Sequence, residues 1–97
     1  MNYHFEVHAR QELRDAIAYY DSVDSRLGAD FREEVERVIS LIRQFPKAWP
    51  QLSLSTRRCR TKRFPYGIIY RIKNDDIEIV AVAHFSREPN YWVDRLN

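Results

Sequence analysis

Ninety-seven residues suffice for one domain with a modest core, and an apolar share of 44% excludes an intrinsically disordered chain. A single cysteine excludes an internal disulfide framework, and no run approaches the ~18 apolar residues of a membrane-spanning helix. The net charge of +2 is segregated: residues 1–46 hold six basic and nine acidic side chains, residues 47–74 eight basic and none acidic, and residues 75–97 two basic and five acidic. Such segregation gives a field with a direction, suited to an anionic partner. The lone Cys59 fits a reducing compartment, and the N-terminal residues lack a charged-then-apolar leader pattern, so a cytoplasmic protein without a membrane association is expected. Residues 1–97 read as one domain.

Tyr3–His8 alternates apolar and polar side chains with period two, which predicts a half-buried strand with Tyr3, Phe5 and Val7 inward. No Ser, Thr, Asp or Asn stands ready to cap the next element. Ala9, Leu13, Ala16, Ile17, Tyr20 and Val23 recur at spacings of three and four, an amphipathic helix over roughly 9–22 with Glu12, Arg14 and Asp15 on its other side. Asp21–Ser25 is a polar break in which Asp24 or Ser25 can cap a second helix. Its apolar stripe is Leu27, Phe31, Val35, Val38, Ile39, Ile42 and Phe45, and Pro46 stops it. Arg32–Glu36 and Glu33–Arg37 are expected as ion pairs along its exposed face. So short a joint folds the two helices into an antiparallel hairpin.

Lys47–Thr56 has no period and reads as a loop, pinned by Trp49 and by Leu52 or Leu54. In the basic strand from Arg57 onward, period two separates Cys59, Thr61 and Arg63 from Arg58, Arg60, Lys62 and Phe64. Neither face is cleanly apolar, so the strand belongs at a sheet edge, where charge discourages stray pairing. Phe64–Gly67 suits a type I turn. Ile68–Lys73 and Ile77–Phe85 flank Asn74-Asp75-Asp76, a hairpin signal because Asn and Asp tolerate positive φ. The near-continuous apolar run IEIVAVA predicts a central strand covered on both faces. Ser86–Asn97, with Pro89, Asn90, Tyr91, Trp92, Val93 and Leu96, reads as a short helix or turn packed on the sheet. The expected fold is α+β: a small, mostly antiparallel four-stranded sheet in the order β-α-α-β-β-β with a short C-terminal helix, and an N-terminal helical hairpin on one face.

His4, His8 and His84 lack metal-ligand spacing, Cys59 is alone, and Gly28 and Gly67 are the only glycines, so neither a metal site nor a phosphate-cradling cofactor loop is expected. What remains is a basic and aromatic set near strand ends: Arg60, Lys62, Arg63, Tyr66, Arg71, His84, Arg87 and Tyr91. Cleavage of RNA by its own 2′-hydroxyl needs a base, an acid and cations around the phosphate, which His, Lys and Arg can supply. Competing structural readings are a hydrogen-bonded His84, an Arg87–Glu88 pair, and Tyr66 and Tyr70 as packing residues.

Arg63-Phe64-Pro65-Tyr66-Gly67-Ile68-Ile69-Tyr70-Arg71, the closing run Ala81–Pro89 with its His84-x-x-Arg87-x-Pro89 ending, and Trp92 and Arg95 after it carry a resemblance. Together with the opening strand and the hairpin ending in Phe45-Pro46, they make the chain resemble, over nearly its whole length, the ParE/RelE superfamily of toxins from bacterial type II toxin–antitoxin modules, on its ParE-like, plasmid-stabilisation side. The resemblance implies a cognate antitoxin whose disordered part folds over the helices and sheet of the toxin, giving a toxin–antitoxin hetero-oligomer. It implies either of two targets: DNA gyrase, bound without catalysis, or messenger RNA cut on the ribosome. For a nuclease the matching residues are Arg63, His84 and Arg87; for target or antitoxin binding they are Arg58, Arg60, Lys62, Arg71 and Tyr91. A third reading is a protein-binding module with no toxicity.

Overall fold

The computed structural model describes residues 1–97. Its elements are β1 (Tyr3–Phe5), α1 (Val7–Val23), α2 (Ser25–Gln44), β2 (Arg57–Arg60), β3 (Tyr66–Lys73), β4 (Asp76–His84) and a 3-10 turn at Val93–Leu96. The sheet runs β1-β4-β3-β2, with β1 parallel to β4 and the other pairs antiparallel. This is the expected α+β architecture, with the helical hairpin on one face and the basic strand β2 at an edge. No helix is long and apolar enough to cross a membrane.

The opening strand is shorter than its alternation implies, and two of its three inward residues are not inward: Tyr3 and Val7 are exposed. Val7 is already helical because Glu6 ends the strand. Its carboxylate accepts from the backbone N–H groups of His8 and Ala9, satisfying two of the donors a helix start leaves bare. A carboxylate there also suits the positive end of the helix dipole. Asp24 ends α1 and caps α2, its side chain accepting from the Arg26 N–H at 2.8 Å. Along α2, Arg37 pairs with Glu34 at 2.8 Å and not with Glu33, and no Arg32–Glu36 pair forms. The i,i+3 choice leaves Glu34 placed to accept from the backbone N–H of Lys62 as well.

The main core lies between the hairpin and the sheet. Phe31, Val35, Val38 and Ile42 of α2 pack with Ala9 and Ala16 of α1 against Cys59, Ile68, Tyr70, Ile77, Ile79 and Val82. Each large side chain so buried contributes about 1.5–3 kcal/mol. A bulge in β4 changes the alternation: Ile69 pairs with Ala81 but Tyr70 with Ile79, leaving Val80 unpaired. Val80 and Ala81 therefore both join the outer face, where Ile69, Ala83 and Trp92 complete a second core under Tyr91 and Leu96. The central strand is thus covered on both faces, as its composition implies.

The reversal expected at Phe64–Gly67 comes earlier. β3 already begins at Tyr66, and Gly67 pairs with Arg60 on one side and Ala83 on the other. Thr61 is buried and its hydroxyl donates to the Phe64 carbonyl at 2.7 Å, tightening the bend in which Arg63 takes φ 68°. The hairpin at Asn74-Asp75 is as expected, with φ 53° and 64°. The 47–56 loop is held by Trp49, packed on the core, and by hydrogen bonds; Leu54 is fully exposed and Leu52 is 36% exposed. Arg57 donates to the Trp49 carbonyl at 2.7 Å, Arg58 N–H to the Pro50 carbonyl at 3.1 Å, and Gln51 bridges Arg57. The start of the β2 edge is therefore closed by its own loop.

Candidate functional site

The basic segment does not form one ribbon. Its candidate site residues divide into three groups, and each meets a different neighbour.

Lys62 and Arg63 turn toward α2. Arg63 pairs with Asp30 at 2.9 Å, and the Lys62 N–H donates to Glu34. The Arg37 guanidinium, with help from Lys62 and against burial, holds the Glu34 carboxyl below its ordinary range. Arg71 forms the second group. It pairs across the strands with Glu78 at 2.7 Å, where His4 also reaches at 3.3 Å, and it donates to the Leu96 carbonyl at 2.9 Å. It is a staple between sheet and C-terminal segment.

The third group lies on the outer face near the end of β4. Arg58 and Arg60 stand opposite Ile69 and Gly67 and have no carboxylate within ion-pair distance. The Arg60 guanidinium lies 5.1 Å from the Phe85 ring centre, and that of Arg87 lies 3.8 Å from the Tyr91 ring centre. Arg58, His84 and Arg87 line a common cleft of about 180 Å³ with Phe85 and Trp92. His84 is half-buried with its ring edge-on to Tyr66 at 5.1 Å. Its Nδ1 accepts from the Ser86 N–H at 3.0 Å, so the neutral ring carries its proton on Nε2. Arg63 lines a different cleft, among Asp30, Glu33, Glu34 and Arg37. His84 and Arg87 are thus brought together, and Arg63 is not.

The residue behind the site that sequence reasoning misses is Glu12. It does not lie on the exposed side of α1; it is a junction. Its carboxylate accepts from the Val82 N–H at 3.1 Å, from the Tyr91 hydroxyl at 2.5 Å, and from Arg95 at 2.7 and 3.2 Å, with Arg87 at 3.8 Å. The Val82 N–H needs this partner because β1 ends opposite Ile79 and leaves that flank of β4 open. The chain does carry a signal for it: Glu12 stands three residues after Ala9 and four before Ala16, the two buried alanines of α1. The Tyr91 hydroxyl is raised far above the usual phenol range by burial and by its bond to Glu12. Burial works against the charge of Arg95, but the bond to Glu12 outweighs it and raises Arg95 overall. The expected Arg87–Glu88 pair is absent because Arg87 is turned toward Tyr91 and Glu12. Tyr70 is a packing residue, its hydroxyl donating to the Pro46 carbonyl at 2.6 Å, and Tyr66 packs against Tyr20 and Phe31.

A second open surface lies on the hairpin side. Tyr3, Phe5, Leu13 and Ile17 floor a groove of about 590 Å³ rimmed by Arg10, Arg14 and Arg32, none of them ion-paired.

The model of one protein family, described as the ParE toxin of the type II toxin-antitoxin system parDE, matches residues 3–89. Two proteins called Toxin ParE2, from the CDC 1551 / Oshkosh and ATCC 25618 / H37Rv strains of Mycobacterium tuberculosis, are each 30% identical over 80 residues, spanning 81% of this chain and 76% of theirs. Among solved structures, a chain of the chromosomal ParDE TA system from P. aeruginosa superposes with a TM-score of 0.64 at 14% identity, covering 87% of this chain and 95% of that one. This last likeness is one of fold.

Proposed function

The chain belongs to the ParE toxin family of type II toxin–antitoxin systems, and we propose that it arrests growth by binding DNA gyrase and is silenced by a cognate antitoxin. The observation that carries this reading is the state of the groups a nuclease would use. Of Arg63, His84 and Arg87, Arg63 is paired with Asp30 in a cleft apart from the other two. Binding by surface recognition asks for none of these to be free. An acidic, amphipathic antitoxin segment suits the hairpin groove, its apolar side on Phe5, Leu13 and Ile17 and its carboxylates on Arg10, Arg14 and Arg32.

A supercoiling assay with purified gyrase tests the target. Inhibition at micromolar toxin, relieved by the antitoxin encoded beside it, is the expected result; unimpeded supercoiling removes the proposal. The ribosome-dependent endoribonuclease reading is favoured by one observation, the His84 ring beside Arg87 in a shared cleft. Primer extension after induction would then show cuts within translated codons, abolished in His84→Ala. Normal growth on expression without antitoxin would leave only a protein-binding module.

A further inference from the structure

We propose that the outer face of the sheet beside the C-terminal segment binds single-stranded nucleic acid, with Arg58, Arg60 and Arg87 on phosphates and the Arg60–Phe85 pair as a platform for a base. Arg37, Arg63, Arg71 and Arg95 each have a carboxylate within 2.9 Å, whereas Arg58 and Arg60 have none and Arg87 has only a long contact to Glu12 at 3.8 Å. One acid, Glu88, lines the same cleft, and it leaves the patch net positive.

The free cations are also arranged. Arg58 and Arg60 alternate on β2 and so project to the same face. Gly67, between β2 and β4, makes room: a Cβ there would lie 2.8 Å from Arg58 Cδ, so the bare glycine lets the Arg58 stem lie across the sheet. Arg60 and Arg87 each rest on an aromatic ring, and Phe85 is 47% exposed. Guanidinium planes backed by aromatic rings offer bases a stacking surface and phosphates a forked donor at once. An extended acidic peptide would need the backbone edge of β2 for its register. The start of that edge is engaged by Pro50 and Gln51 beside Arg58, so next to the patch only the Arg60 end is left for a strand to extend.

The test is fluorescence anisotropy of a labelled oligodeoxythymidylate with the isolated full chain, in which gyrase has no part, so its outcome is separate from that of the supercoiling assay. Binding is expected to weaken with salt, with a log–log slope of about −0.7 for each phosphate engaged. Arg60→Ala and Arg58→Ala should each lower that slope by about one phosphate, whereas Arg60→Lys should keep the slope yet bind less tightly. Phe85→Ala should weaken binding by about 5- to 150-fold, the worth of one stacked base. Arg26→Ala, a change at an exposed residue on α2, should alter nothing. Circular dichroism melts identify any variant that fails to fold; Arg60 is exposed, and its two variants carry the decision. The proposal is overturned by absent binding at low salt, by a slope unchanged in Arg58→Ala/Arg60→Ala, or by an oligoglutamate of equal charge displacing the oligonucleotide at lower concentration.

Discussion

Replacing Glu12 with alanine tests the junction between α1, β4 and the C-terminal segment. Both Glu12 and Arg95 are largely sheltered, with side chains 16% and 15% exposed. The change leaves the Val82 N–H without an acceptor, which costs about 1–3 kcal/mol for a buried donor. It also leaves Arg95 sheltered without its counter-charge, and breaking a buried pair from one side costs about 3–5 kcal/mol. Relaxation and water entry make these costs less than additive, so Glu12→Ala is expected to lose about 3–5 kcal/mol in urea unfolding. Glu12→Gln keeps one oxygen to accept from Val82 and an NH2 that can donate to the Tyr91 hydroxyl oxygen, but it removes the counter-charge of Arg95, so it should lose about 2–3 kcal/mol. A double-mutant cycle between Glu12→Ala and Arg95→Ala should show coupling of about 1.5–3 kcal/mol, since both carboxylate oxygens of Glu12 accept from the Arg95 guanidinium. Hydrogen exchange should quicken most at Val82. A loss under about 1 kcal/mol in Glu12→Ala, or additive single changes, would refute the reasoning.

Alkaline pH should unfold the protein through its sheltered tyrosines. Burial pushes Tyr70 up to about 12 and Tyr91 higher still, so the stability these phenols lend is complete below their ordinary value near 10 and is lost as pH rises through the shifted values. Tyr70→Phe should flatten the first part of that fall at a cost of about 1 kcal/mol near neutral pH, seen in denaturant midpoints across the range. Glu34 behaves with the opposite sign: its lowered pKa lends stability above its ordinary value of 4.5 that disappears as acid protonates it, so Glu34→Gln should be less stable at neutral pH and show a shallower acid limb. Arg63→Gly should relieve the positive φ by about 1 kcal/mol while losing an exposed pair worth at most about 1 kcal/mol, leaving the melting temperature nearly unchanged; Arg63→Val should lower it.

Where the side-chain period is clean, the fold can be read from the chain. The α2 stripe from Phe31 to Ile42, the apolar β4 and the Asn74-Asp75 hairpin each obey a single rule; Phe45, expected to continue the stripe, caps the helix and is exposed. The errors fall where two rules compete. Tyr3–His8 alternates like a strand, but the Glu6 carboxylate starts a helix inside the pattern. The bulge at Val80 adds one residue to β4, which composition cannot register because Val80 and Ala81 are apolar in either orientation. Pro65 and Gly67 mark a type I turn on local grounds, whereas Gly67 serves the sheet by clearing a path for Arg58, so the reversal occupies residues 61–65 and is over before Gly67. For the site, the positive tract is visible as composition, but its division is not. The acids that claim Arg63 and Arg71 lie 33 residues before the one and 7 after the other, and only folding decides which arginines they take.

The Glu12 junction also bears on synthesis. Until Arg95 has been added, a growing chain carries a carboxylate on its first helix with its principal cation missing, and Ile69, Val80, Ala81 and Ala83 lie bare where Trp92 will cover them. Truncated products that stop short of Tyr91 would display an oily strip to proteases and chaperones, so premature termination yields material for clearance before it yields a poison.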